Sequence, residues 1–191
     1  MQKSNVIAFD AFGTLIQYGG VRLNPYRLLL DGRPGDHAER LPFLTRNVPP
    51  TIFASELKIS HVIPEFEREL VEELAGLHLF AEVPEVLARA RQASLRVAVC
   101  SNLAQAYGDV VRRLLPDLDA HILSFEVGVA KPQPAIYAAT CQALGCEPGE
   151  VIFVGDSQRC DLHGPQAFGM QARWIDRGAG KTLLDVLAGV V

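Results

Sequence analysis

The sequence predicts an α/β fold in which helices cover both faces of a parallel β-sheet, with a small helical cap inserted after the first strand. Three observations support this. Short apolar segments alternate with helical segments from about residue 84 onward. These apolar segments lack polar alternation, which is typical of strands buried on both faces. About 65 residues of helical periodicity separate the first strand from this series.

The first predicted strand is Val6-Ile7-Ala8-Phe9, and it ends at the carboxylate of Asp10. Ligands of open α/β sheets bind beyond the carboxyl ends of the strands, so Asp10 is the first candidate site residue. A tight turn containing Gly13 and Thr14 follows.

The predicted cap covers residues 17–82, and residues 1–16 together with 83–191 form the predicted core. Helices are expected at 24–30 and 36–45, the first capped by Asn24 with Pro25 in its first turn. The longest cap helix is expected at 64–77, with one apolar face made of Phe66, Leu70, Val71 and Leu74.

In the remainder of the core, strands are expected at 95–100, 121–125, 151–154 and 172–175. Helices are expected at 84–93, 104–115, 134–145, 160–168 and 181–187. Pro84 and Pro134 open two of these helices, Gly145 ends one and Gly169 follows another, as helix boundaries favour.

The composition limits the function. The 191 residues are 49% hydrophobic, which suffices for a packed core. The net charge of −4 and the absence of a basic block argue against nucleic-acid or membrane partners and leave a small-molecule anionic substrate.

No signal-peptide stretch and no apolar run of roughly 18 residues is found, so we expect a cytoplasmic location. Nothing predicts the oligomeric state. The cysteines lack zinc-site spacing and are expected to be reduced: Cys100, Cys141, Cys146 and Cys160.

Four polar motifs follow predicted strands and therefore converge on one edge of a parallel sheet. They are Asp10 with Gly13 and Thr14; Ser101-Asn102; Lys131-Pro132; and Gly155-Asp156-Ser157 with Asp161. A carboxylate can form a covalent ester that water then cleaves. Carboxylates also bind Mg²⁺ together with substrate phosphate, a role open to Asp10 and Asp156. Lys131 would neutralise charge, and Ser101 would hold the transferring oxygens.

These motifs, in this order and spacing, resemble those of the haloacid dehalogenase-like hydrolase superfamily over about two-thirds of the chain. The resemblance implies a Rossmann-like sheet and a catalytic group of Asp10 as nucleophile, Thr14 and Lys131. It implies substrate contacts by Phe12, Ser101 and Asn102. It also implies a Mg²⁺ site formed by Asp10, Asp156 and Asp161.

Two departures from this pattern point in opposite directions. Phosphatases of the superfamily usually carry an Asp two residues after the nucleophile, where this chain has Phe12. The segment from Phe9 to Leu15 is more similar to the 2-haloacid dehalogenases, whose halide leaving group needs no proton. The spacing of Asp156 and Asp161, in contrast, is similar to that of the metal-dependent phosphatases.

Three hypotheses follow. The first is a Mg²⁺-dependent phosphohydrolase limited to good leaving groups or to substrates that supply their own acid. The second is a carbon–halogen hydrolase of the 2-haloacid dehalogenase type, and the third is a non-catalytic anion-binding protein. The predicted cap could supply an arginine that binds the substrate, but the sequence does not choose among Arg22, Arg27, Arg33, Arg40 and Arg46.

Overall fold

A computed structural model describes residues 5–20 and 22–191. Residues 1–4 of the predicted core and Val21 of the predicted cap lie outside the described residues. The strands are β1 (Val6–Phe9), β2 (Ile16–Tyr18), β3 (Leu77–Leu79), β4 (Arg96–Ser101), β5 (Ala120–Leu123), β6 (Val151–Gly155) and β7 (Gln171–Trp174). The α-helices are α1 (His37–Thr45), α2 (Pro50–Glu56), α3 (Ile63–Gly76), α4 (Val83–Gln92), α5 (Gly108–Leu114), α6 (Ser124–Val127), α7 (Pro134–Leu144), α8 (Gly164–Phe168) and α9 (Leu183–Val186).

The main sheet has five parallel strands in the order β5-β4-β1-β6-β7, which confirms the predicted α/β fold. The central strand β1 pairs with β4 and β6, and its residue Phe9 is in register with Val99 and Val154. The carboxyl ends of these three strands therefore lie side by side. The backbone N–H of Asp10 continues the ladder by donating to the Val154 carbonyl over 2.9 Å.

The two faces of the sheet pack against different groups of helices. Side chains alternate between the faces of a strand, so Ile7 and Phe9 join one hydrophobic cluster, whereas Val6 and Ala8 join another. All four side chains are fully buried. The apolar character of β1 on both faces thus reflects burial on both faces, as the sequence predicted.

The segment inserted after the first strand, residues 17–82 (the inserted segment), is not purely helical, which corrects one expectation. Its two ends form an antiparallel pair, in which Ile16 of β2 faces Leu79 of β3 and Tyr18 faces Leu77. Each strand has only three residues, too few for an alternating hydrophobic pattern to be recognised in the sequence. The helical turn 25–30 and helices α1 to α3 lie between these strands. The division of the chain into core and cap stays a prediction.

Two local predictions in this segment are wrong. Asn24 does not cap the following helical turn, because its backbone is left-handed (φ 53°) and its side chain makes no capping hydrogen bond. Val71 is 68% exposed, although the sequence pattern places it on the apolar face of this helix. Glu69 and Glu73 are buried on that helix instead, because Arg27 and Tyr107 supply partners for their carboxylates.

Other boundaries shifted by one or two residues or changed their helical type. Residues 158–163 form a widened helical turn ahead of α8, and a short helical turn at 105–107 precedes α5. In the part of the chain that the structure describes, no helix combines the length and apolarity needed to cross a bilayer.

Candidate active site

Asp10 and Lys131 form the centre of a buried polar cluster at the carboxyl edge of the sheet. The Lys131 ammonium donates to Asp10 Oδ1 over 2.7 Å, and the Ser101 hydroxyl donates to the same oxygen over 3.0 Å. Lys131 and Ser101 are each 1% exposed. Since Oδ1 receives both donors, the second carboxylate oxygen, Oδ2, is the one oriented for other chemistry.

A second carboxylate also fixes the lysine. Lys131 donates to Asp161 Oδ1 over 2.6 Å, and the backbone N–H of Ser157 donates to Asp161 Oδ2 over 2.9 Å. Burial alone would lower the pKa of Lys131, but the charges of Asp10 and Asp161 raise it well above its ordinary value. Lys131 therefore remains a cation.

Asn102 holds the loop that carries this lysine. Its side chain donates to the Lys131 carbonyl over 2.9 Å and accepts from the Lys131 N–H over 2.7 Å. This pair of bonds fixes the main chain of Lys131 beside the end of β4. In these contacts Asn102 positions the lysine.

Asp156 completes a group of three carboxylates. One ligand oxygen from each of Asp10, Asp156 and Asp161 lies within 4.8 Å of the other two. The Asp156 carboxylate lies against Gly13, where a Cβ would overlap it, and position 13 also has a left-handed backbone (φ 81°). Glycine at position 155 likewise leaves room for the Asp161 carboxyl group. The close packing of the acids thus depends on two glycines.

The electrostatics of Asp156 favour occupation by a cation. Partial desolvation of its carboxyl group, followed by the charges of Asp10 and Asp161, raises the pKa of Asp156 to about 6. Three carboxylates face one ammonium group here, so the cluster has an excess of negative charge. Hard oxygen ligands of this kind fit Mg²⁺. The residues present therefore fit the predicted metal.

Thr14 does not join the hydrogen-bonded cluster. It is fully buried, and its hydroxyl has no hydrogen-bond partner among the described residues. Its carbonyl accepts from Arg177 over 2.6 Å, a contact that ties the turn after β1 to the loop after β7. The catalytic role expected for Thr14 stays a prediction.

Phe12 packs in an aromatic group and brings no polar side-chain atom to the carboxylate cluster. Its ring stacks on Tyr18 with a centroid separation of 5.6 Å and meets the edge of Tyr107 at 5.7 Å. Tyr107 in turn donates its hydroxyl proton to Glu73 over 2.7 Å. Burial raises the pKa of Tyr18 to about 12, so this phenol is a poor proton donor at neutral pH.

A cavity of about 370 Å³ adjoins this edge of the sheet. It is lined by Phe12 and Asn102, by Ser157, Arg159 and Cys160 of the fourth motif, and by residues of the inserted segment such as Tyr18, Arg22 and Arg40. Sequence analysis did not single out Tyr18 or Tyr107. Neither belongs to a motif, so no sequence signal pointed to them.

The chain matches the family model described as haloacid dehalogenase-like hydrolase over residues 5–169. It is 33% identical over 137 residues to the phosphoserine phosphatase of Thermus thermophilus, a match covering 66% of this chain and 54% of that protein. It is 36% identical over 101 residues to the (S)-2-haloacid dehalogenase of a Pseudomonas species, covering 51% of this chain and 43% of that protein. The chain thus spans about half the length of the curated relatives it matches.

A similar architecture occurs in a solved structure. A haloacid dehalogenase family enzyme from Bacteroides thetaiotaomicron, crystallised in complex with magnesium and inorganic phosphate, superposes with a TM-score of 0.72. The superposition covers 94% of this chain and 97% of that one, at 18% sequence identity. At this identity the likeness concerns the fold alone.

Proposed function

Because this chain belongs to the haloacid dehalogenase-like hydrolase family, we propose that it is a Mg²⁺-dependent phosphohydrolase that uses Asp10 as its nucleophile. The observation that carries the proposal is the group of three carboxylates around Asp10, Asp156 and Asp161 beside a single buried ammonium. Phosphatases and dehalogenases both occur among the relatives, and this excess of carboxylates favours the phosphatase.

In the proposed reaction, Asp10 Oδ2 attacks the phosphorus atom of the substrate. An O–P bond forms to Asp10 while the bond from phosphorus to the leaving oxygen breaks, and water then hydrolyses the aspartyl phosphate and releases inorganic phosphate. Lys131 and Ser101 hold Oδ1 and so orient the attacking carboxylate. Lys131 also offsets negative charge that the phosphoryl group brings to the site.

Asp10 and Asp156 would hold Mg²⁺, and Asp161 would support the site mainly through Lys131 and the Ser157 backbone. The bound ion would neutralise charge on the phosphoryl oxygens. Both Asp161 oxygens already accept hydrogen bonds from the protein, which supports this assignment of a positioning role.

The residue at position 12 limits the proposed substrates. Departure of an alkoxide normally requires a proton from a positioned acid, an effect of roughly 10²–10⁴-fold, and Phe12 has none to give. Lys131 does not replace that acid, because two carboxylates raise its pKa and hold its proton. We therefore assign acyl or aryl phosphates, whose leaving groups depart as stable anions, or esters that carry their own acid.

The inserted segment would act as the cap of this site. Its residues Tyr18, Arg22 and Arg40 line the cavity together with Asn102 and Arg159 of the sheet edge. A substrate bound at Asp10 would therefore extend between the two parts. This arrangement supports a small anionic molecule as the substrate.

A carbon–halogen hydrolase is the second candidate, and the packing of Phe12 favours it. An aromatic wall formed by Phe12, Tyr18 and Tyr107 beside the nucleophile suits a reaction whose leaving group needs no proton. Asp156 argues against it, because a third carboxylate has no evident use without a cation.

Two assays separate the candidates. The first measures hydrolysis of aryl phosphates with added Mg²⁺ and with a chelator, and the second measures halide release from 2-chloropropionate under both conditions. We expect phosphate release that requires Mg²⁺, and no halide release. Metal-independent halide release would instead establish the dehalogenase. Inactivity in both assays, with Mg²⁺ or phosphate still bound, would indicate a non-catalytic binding protein.

A further inference from the structure

The arginines of the inserted segment fall into two groups that the sequence does not distinguish. Four are paired with a glutamate of the same segment: Arg27, Arg33 and Arg46 through two-pronged ion pairs, and Arg68 through one contact of 3.8 Å to Glu65. Arg22 and Arg40 have no carboxylate oxygen within 4.0 Å among the described residues. Both of these unpaired arginines line the cavity next to the carboxylate cluster.

A third arginine lines the same cavity. Arg159, in the fourth motif, lines the cavity and also lacks a salt-bridge partner within the described ranges. No aspartate or glutamate is among the lining residues. The whole chain carries a net charge of −4. A cavity wall with three arginines and no acidic residue therefore has the opposite charge to the chain as a whole. Such a wall raises the local concentration of anions.

Neighbouring groups restrain the two arginines of the inserted segment. The Arg22 guanidinium lies over the ring of Tyr18, 5.0 Å from its centroid. Arg40 Nε donates to the Asp36 carbonyl over 3.2 Å, which leaves its terminal nitrogens available. A guanidinium with free terminal N–H groups can bind a carboxylate or phosphate through two parallel hydrogen bonds.

From this arrangement we propose that the substrate carries a second anionic group, such as a carboxylate, distal to the transferred phosphoryl group. Arg22 and Arg40 bind that group, and Phe12 and Tyr18 contact the planar or apolar body that joins the two anions. This inference rests on the proposed function, since it takes the phosphoryl end of the substrate to lie at Asp10. It gives the inserted segment the role of selecting anionic over neutral leaving groups.

The test uses two pairs of compounds that differ only in the charge of the distal group. The first pair is 4-carboxyphenyl phosphate and 4-carbamoylphenyl phosphate, whose hydrolysis is compared by kcat/KM. The second pair is the corresponding non-hydrolysable phosphonates, whose Kd values are measured by calorimetry in the presence of Mg²⁺. We expect the carboxylate to be preferred by about tenfold or more in both comparisons, which is the range of a charge-assisted hydrogen-bonded pair.

Variants assign the preference to particular residues. Arg22→Gln and Arg40→Gln should each weaken carboxylate binding and leave carboxamide binding nearly unchanged, and the double variant should abolish the preference. Arg33→Gln is the matched control, because it removes an arginine of the same segment that already pairs with Glu39. Its preference should equal that of the original protein.

The two proposals fail in different ways. Equal Kd values for the two phosphonates, or a preference that survives the Arg22→Gln/Arg40→Gln double variant, would overturn the distal-anion inference even if both phosphates are hydrolysed. Absence of hydrolysis, with a Kd preference that depends on Arg22 and Arg40, would overturn the phosphohydrolase and retain the distal anion site. A carboxylate preference lost only in Arg159→Gln would move the contact to the fourth motif and refute the assignment to the inserted segment.

Discussion

The buried cluster around Lys131 and the cavity wall formed with the inserted segment differ in whether their cations are paired with carboxylates. In the cluster, Lys131 has both of its carboxylate partners within 2.7 Å and is 1% exposed. On the cavity wall, Arg22 and Arg40 are exposed and lack ion-pair partners in the described part of the chain. Lys131 is thus fully paired by the protein, whereas Arg22 and Arg40 have no carboxylate partner among the described residues.

The difference follows from what burial costs. A fully buried charge is stable only when it is paired and hydrogen-bonded, so the buried Asp10, Lys131 and Asp161 fix one another. Exposed arginines remain hydrated and can exchange water for a ligand at little cost. We infer that the cluster holds the catalytic groups in place before the substrate binds, and that the cavity wall selects among substrates by their charge.

The largest expected effect is on the cluster itself. Asp10→Asn retains the size of the side chain but removes the proposed nucleophile, so kcat on an aryl phosphate should fall about 10⁴-fold or more. The measurement is steady-state release of the aryl alcohol, with thermal unfolding to show that the variant is folded. Rates within about a factor of three of the original, with the fold intact, would remove Asp10 from the mechanism.

Replacing the buried ammonium tests whether the cluster depends on full pairing. Lys131→Met leaves Asp10 and Asp161 buried near each other without a cation, and should lower the free energy of unfolding by about 3–5 kcal/mol. Urea denaturation without divalent cations measures it. Arg46→Met is the control, because it removes an arginine from an exposed pair and should move the midpoint far less. Equal shifts would show that burial does not separate the two kinds of pair.

Phe12 lies at the boundary between the two regions, and changing it tests the leaving-group restriction. Phe12→Asp introduces a carboxylic acid two residues after Asp10 and should raise the ratio of alkyl to aryl phosphate hydrolysis by about 10²-fold. Phe12→Asn loses the same aromatic contacts with Tyr18 and Tyr107 but has no acidic proton, so its ratio should not rise. A similar increase in both variants would indicate that cavity space, rather than a proton, limits the substrates.

The smallest expected effect concerns Asp156, the exposed member of the carboxylate group. Its pKa of about 6 means that the folded, metal-free protein keeps the proton on this carboxyl group until the pH rises through 6. A metal ligand must be deprotonated, so Mg²⁺ affinity should fall about tenfold between pH 7 and pH 5. Calorimetric Mg²⁺ titrations at both pH values measure it. Asp156→Asn should bind more weakly and lose most of this pH dependence, and an unchanged dependence would assign the proton elsewhere.

Much of the fold was predictable because the signals were local. The apolar strands β1, β4 and β6 and the proline and glycine residues at helix ends are visible in the sequence, and each marks an element without knowledge of its neighbours. The three-residue strands β2 and β3 were missed, since the pairing that defines them joins residues about 60 positions apart. The burial of Glu69 and Glu73 on α3 was missed for the same reason, because their partners Arg27 and Tyr107 lie 42 and 34 positions away in the chain.

The sequence by itself determined the sheet, its carboxyl edge and the inventory of groups there: Asp10, Ser101, Lys131, Asp156 and Asp161 all follow predicted strands in motif order. It did not determine which of those groups contact one another or which residues hold them in place. The tertiary structure decided that Asn102 holds the loop of Lys131 and that Phe12 stacks on Tyr18. It also decided that, among the described arginines of the inserted segment, Arg22 and Arg40 are the two without glutamate partners. The physical reason is that motifs are local in sequence, whereas ion pairs and ring contacts depend on distances in the folded chain.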